Sequence, residues 1–152
     1  MFQRIVCATD FSDTAEAAWE VACDLAVVHQ AEVTLVHVFP DLPPSPEIAV
    51  PSVVEVWEEQ RRWVSREVDR RVAHAAARGL RSRAVVKMGP AAPGLIEAVT
   101  DVSADLLVVG THGRTGLERV LLGSVAEQVV RTAPCAVLTV KSPARKRAQA
   151  AA

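Results

Sequence analysis

Tyrosine is absent from this chain, and only 4% of its residues are aromatic although 50% are hydrophobic. Its interior must therefore be built from Val, Leu, Ile and Ala. Strands buried on both faces use these residues, so the composition points to a parallel sheet covered by helices. Excess charge of one sign is lacking too. A net charge of −1 provides no bulk pull toward nucleic acid or an anionic membrane, and neither is expected as a partner. Long apolar runs are missing: nothing approaches a membrane span. The short run Ile5 to Ala8 is interrupted almost at once by Asp10, which speaks against a signal peptide. The three cysteines, Cys7, Cys23 and Cys135, form no C-x-x-C and read as small buried residues in a reducing cytoplasm. His29, His37, His74 and His112 show no metal-ligand spacing. A length of 152 residues fits one domain with a core of its own.

What is present alternates. Ile5 to Ala8 reads as a buried strand. A helix then starts at Asp13 with Ser12 or Asp13 as its cap, and Ala15, Ala18, Trp19, Ala22, Leu25 and Ala26 form its apolar face. Val33 to Phe39 is a second strand, followed by a proline-rich loop from Pro40 to Pro46. A long helix is expected from Val53 to Arg78, with Trp57, Val64, Val68, Val72 and Ala75 as its buried stripe and Gly79 as its C′ residue. Glu58–Arg62 and Glu67–Arg71 read as i, i+4 pairs on its wet face. Arg83 to Met88 alternates polar and apolar, as an exposed edge strand should. Pro93 to Asp101 is helical, Leu106 to Val109 a buried strand, Ser124 to Arg131 a helix and Ala136 to Val140 a fifth strand. This alternation specifies right-handed βαβ crossovers and a Rossmann-like, open, five-stranded parallel sheet with helices on both faces. Residues 1–141 form the expected domain. Residues 142–152, with Arg145-Lys146-Arg147, are expected to be a disordered, solvated basic tail.

Ligands of open parallel sheets bind at the carboxyl ends of the strands, where the winding reverses. Two such ends carry unusual residues: Ala8-Thr9-Asp10 after the first strand, and Gly110-Thr111-His112-Gly113-Arg114-Thr115-Gly116 after the fourth. If both serve one site, strands one and four are neighbours, which favours the order 3-2-1-4-5. Three glycines at threefold spacing allow positive φ and a close backbone approach, and successive N–H groups there can cradle phosphate. Gly123-Ser124 opens a helix whose free N–H groups and dipole favour an anion. Ser124-Val125-Ala126-Glu127 also fits a plain capping box. There is no G-x-x-x-x-G-K-[ST], no G-x-G-x-x-G after the first strand and no G-x-S-x-G elbow.

From Gly110 the chain reads G-T-H-G, nine residues, then Gly123-Ser124. This resembles the G-2x-G-9x-G-(S/T) pattern of the ATP-binding universal stress proteins. The flanks Ala104 to Val109, Val125 to Val130 and Ala133-Pro134-Cys135 are similar, as are Thr9-Asp10-Phe11-Ser12 and Leu35-Val36-His37-Val38. The resemblance implies that backbone at Ala8 and Thr9, with Val38, holds adenine and flanks the ribose. It puts Asp10 near ribose or phosphate, toward Mg²⁺. Gly110, Thr111, His112, Gly113, Arg114 and Gly116 would wrap the phosphates, with Gly123, Ser124 and Val125 capping them. It also implies a homodimer through Ala136, Val137, Leu138, Thr139 and Val140, an edge strand that lacks charge.

The function expected on these grounds is that of an ATP-binding (or ADP- or AMP-binding) stress-response regulator, a switch read by an unknown protein partner. The alternatives are a slow ATPase or phosphotransferase of the same fold, and a dimerising member without nucleotide. Phosphoryl transfer needs metal, charge neutralisation and a positioned nucleophile. Arg114 and Asp10 are at hand for the first two, but no residue is identifiable that would orient water.

Overall fold

A computed structural model of the chain describes residues 1–41, 51–112 and 122–141. Its elements run β1 (Arg4–Ala8), α1 (Asp13–His29), β2 (Glu32–Phe39), α2 (Pro51–Ala77), β3 (Arg81–Met88), α3 (Ala91–Asp101), β4 (Leu106–Gly110), α4 (Ser124–Thr132) and β5 (Ala136–Val140). The strands form one sheet in the order β3-β2-β1-β4-β5, with every neighbouring pair parallel. β1 is central: Cys7 is in register with Leu35 of β2 and Val108 of β4. Strand order and parallel sense are as the sequence implies. The expected basic tail, 142–152, lies outside the described residues.

Two apolar layers hold the sheet. On one face Ile5, Cys7, Val33 and Leu35 pack with Trp19, Ala22 and Cys23 of α1 and with Val64, Val68 and Ala75 of α2. On the other, Val6, Val36, Leu107 and Val109 pack with Leu95 and Val99 of α3 and Ala126 and Val129 of α4. Val6, Leu107 and their neighbours are fully buried, each worth about 1.5–3 kcal/mol by area. Alternate residues of each strand thus serve opposite layers, which is why the central strands are continuous apolar runs.

Helix ends explain the connections. Ser12 caps α1 by accepting from the Ala15 N–H at 3.2 Å. α2 closes in a Schellman motif: the Gly79 N–H bonds to the Ala76 carbonyl, the Leu80 N–H to the Ala75 carbonyl, and Gly79 takes φ 80°. α3 begins two residues before Pro93, because a proline inside the first turn removes an N–H that has no intrahelical partner anyway. Ser124 does not cap α4. Gly123 is the N-cap and Ser124 the first helical residue, so the expected capping box does not form.

One reading of α2 is corrected. The Glu67–Arg71 pair exists, but Arg71 is not on the wet face; it is buried, with 7% exposed. Positions 64, 68, 71 and 75 make one 3–4 stripe, and Arg71 falls in the middle of it.

Candidate functional site

The carboxyl ends of β1, β2 and β4 open into a cleft of about 280 Å³, near the lower end of the ~300–1,000 Å³ usual for small-molecule sites. It lies where the topology predicts: β1 connects to β2 on one side, whereas the chain reaches β4 on the other by crossing from β3.

The first wall is the turn after β1. Thr9 extends the ladder by donating its N–H to the Val36 carbonyl at 2.9 Å, and its own carbonyl accepts from His37 Nδ1 at 2.8 Å. Thr9 Oγ1 then accepts the Phe11 N–H and Asp10 Oδ1 accepts the Ser12 N–H, both at 3.0 Å. Local side-chain acceptors therefore replace the ladder step by step and turn the chain into α1.

The second wall follows β4. The Thr111 N–H donates to the Val140 carbonyl at 2.9 Å, carrying the β4–β5 pairing one residue further, and the Thr111 carbonyl accepts the Gly123 N–H. Thr111 Oγ1 and His112 Nδ1 are 2.9 Å apart. These bonds bring the two ends of the glycine-rich segment together and aim α4 at the cleft. The N-cap of α4, Gly123, offers no side-chain cap, and Ser124, Val125 and Ala126 of the first turn line the cavity at the positive end of the helix dipole. The third wall is the amino end of α3, also without a side-chain cap, which contributes Ala91 and Leu95.

Of the residues singled out from sequence, Ala8, Thr9, Asp10, Val38, Gly110, Thr111, His112, Gly123, Ser124 and Val125 all line this cleft. Gly113, Arg114 and Gly116 lie outside the described residues. His37, Ala15, Ala91, Leu95, Val109 and Ala126 line it as well and were not anticipated. The glycines also behave differently from expectation. Gly110, the first of the three glycines at threefold spacing, is outside the left-handed region. A Cβ on Gly110 would stand 2.9 Å from Thr14 Cγ2 and 3.2 Å from the Thr14 backbone. That glycine is needed for the docking of α1. Likewise the Gly123 N–H is spent on Thr111 rather than offered to a ligand.

The cleft has two chemical sides. Val38, Ala91 and Leu95 make the α3 side apolar, suited to a flat ring. Thr111, His112, Ser124 and the α4 amides make the other side rich in hydrogen-bond donors, suited to an anion. Asp10 contributes the one carboxylate among the described lining residues. No group of three or more His, Cys, Asp or Glu side chains able to hold a metal occurs among the described residues.

Such a fold and cleft define an open-sheet α/β domain with a cavity at its switch point. A model of the universal stress protein family matches residues 1–141. A universal stress protein of Methanocaldococcus jannaschii is 35% identical over 147 residues, covering 96% of this chain and 86% of the relative. Among solved structures, the universal stress protein UspA from Lactobacillus plantarum superposes with a TM-score of 0.82 at 26% identity, covering 91% of this chain and 97% of its own. A universal stress protein in complex with cAMP superposes at 0.69 with 28% identity, covering 93% and 99%. The chain belongs to the universal stress protein family.

Proposed function

We propose that this protein binds an adenine nucleotide in the cleft, ATP with Mg²⁺ foremost, and acts as a regulatory switch rather than as an enzyme. The observation that carries the reading is the start of α4 at the cleft, with glycine as its N-cap. Its first-turn residues Ser124, Val125 and Ala126 line a cavity whose α3 side is apolar. Adenine fits between Val38 and the amino end of α3, and phosphate fits against α4, Thr111 and His112. Gly113, Arg114 and Gly116 complete the phosphate loop in this reading. A nucleotide-borne Mg²⁺ keeps most of its waters and takes one or two carboxylates, and Asp10 supplies one. A relative of 28% identity has been solved with cAMP, itself an adenine nucleotide.

Hydrolysis is expected to fall far below the enzyme median of about 10 turnovers per second, because the sequence has no P-loop lysine and no identifiable residue to orient water. The free thiols Cys7, Cys23 and Cys135 suit a reducing cytoplasm. Calorimetric titration with Mg-ATP, ADP and AMP, paired with phosphate-release assays, tests the proposal. Binding without appreciable release is the expected result. No heat with any of the three would overturn it, and turnover near one per second abolished by Asp10→Ala would make the protein an ATPase.

Assembly belongs to the same reading. β5 is an edge strand whose Ala136, Leu138 and Thr139 are exposed and which carries no charge. A second copy pairing antiparallel along it would satisfy its free N–H and C=O groups in a closed twofold dimer.

A further inference from the structure

Arg71 occupies a place where a charge is costly, and its surroundings explain what it does there. Nη1 donates to Glu67 Oε2 at 2.6 Å and to the Glu67 carbonyl at 2.9 Å, while Nε and Nη2 reach Glu16 Oε1 across on α1. Burial works against the cation, and the hydrogen bonds it donates to Glu67 and Glu16 outweigh it, so its pKa is raised. A buried ion pair of this kind adds little stability over a well-packed apolar side chain. Its geometric effect is more telling. The guanidinium carbon lies 5.0 Å from the centroid of the Phe11 ring.

Phe11 has φ 63°. A bulky side chain holds this left-handed backbone only where its surroundings over-determine it. Three groups do so here. Trp63 meets the Phe11 ring edge-on at 4.9 Å, His37 lies against it at 4.8 Å, and Arg71 stacks over it. His37 is bonded to the Thr9 carbonyl, and the Phe11 N–H to Thr9 Oγ1. Thr9, Asp10 and His37 are cleft residues. A continuous chain of contacts thus runs from the middle of α2 to the wall of the cleft.

We propose that Arg71 is a positioning residue for the cleft: by clamping Phe11 it holds the Thr9–Ser12 turn, and with it Asp10, in the geometry that receives the ligand. The proposal rests on the nucleotide-binding reading and touches no ligand atom itself. It is tested by titrating Mg-ATP and AMP into wild type, Arg71→Met, Arg71→Lys, Phe11→Ala and the double variant Phe11→Ala/Arg71→Met, at a temperature where all are folded. Arg71→Met should bind roughly 10-fold more weakly, the size of a coupling of this kind, and Arg71→Lys should fall between. The double variant should be no worse than Phe11→Ala alone. Amide exchange of ligand-free protein supplies the readout that a purely structural role would not move. In Arg71→Met the Phe11 amide should exchange faster while Val64 and Val68 keep their protection. If Arg71→Met does not fold, Glu16→Gln loosens the same clamp from a partly exposed position. Unchanged affinity, additive losses or an unchanged Phe11 amide would each overturn the proposal. Should wild type bind neither nucleotide, the nucleotide reading fails, and the Phe11 amide alone decides the clamp.

Discussion

At Gly94 the backbone of α3 comes close to the side chain of Val38, a residue that lines the cleft. A Cβ there would stand 2.9 Å and 3.0 Å from the two methyl carbons of Val38. Gly94→Ala must therefore push α3 away or turn Val38 into the cavity, at a cost of about 1–3 kcal/mol. Urea unfolding should register that loss, and nucleotide affinity should fall several-fold alongside it. Glu67 predicts a pH effect. Hydrogen bonds from Arg71 and then Arg70 hold its carboxyl below the ordinary value. A carboxyl with a depressed native pKa stabilises the fold above its unfolded value, about 4.3, and loses that contribution as pH falls through the native one. Stability measured by urea from about pH 3 to pH 7 should therefore decline at the acid end, and less steeply in Glu67→Gln. The correction at Arg71 has its cause at this scale too. Taken alone, the pair Glu67–Arg71 has the spacing of a surface pair. Only the company of Val64, Val68 and Ala75 on one stripe reveals that the arginine points inward.

Elements were legible where local chemistry and tertiary packing agree. β1, β2 and β4 are apolar runs too short for helices, and α1 and α2 carry their buried faces at helical spacing, so type and order could be read directly. The strand order came from a functional premise, that the Asp10 turn and the Gly110 segment share a site, and the register of β1 with β4 bears it out. The amino end of α3 could not be read that way. It reaches the cleft because α3 crosses over the sheet to sit against Val38, a tertiary fact whose faint trace is Pro93-Gly94. His37 escaped notice because a lone histidine in an apolar strand ordinarily signals nothing, and its bond to Thr9 spans two strands. For β5 the expected outcome follows from its edge position. Thr139→Pro removes a donor from the outer ladder and clashes with a paired strand. Light scattering at tens of micromolar should find wild type dimeric and the variant shifted toward monomer, with ATP binding retained. A monomeric wild type would refute the edge pairing.

For the molecule as a whole, a ligand that binds only the folded state stabilises it. At a concentration about 100-fold above Kd the gain is roughly 2.7 kcal/mol. For a chain of this size that is a rise in Tm of about 5–10 °C. A melting curve unmoved by ATP would contradict the proposed function. The thiols offer a second route to the same quantity. Cys7 is wholly buried in the central strand and Cys23 is buried beneath α1, whereas Cys135 is only half-buried. Burial pushes the Cys7 thiol well above its ordinary pKa and Cys23 up to about 12, so neither presents a thiolate to reagent in the native state. Alkylation at Cys7 then waits for the sheet to come apart, and at Cys23 for α1 to lift off. The chain thus carries its own stopwatch, with one early mark and two late ones. Saturating nucleotide should delay the two late marks by up to about 100-fold at the same ligand excess, and leave the first where it was.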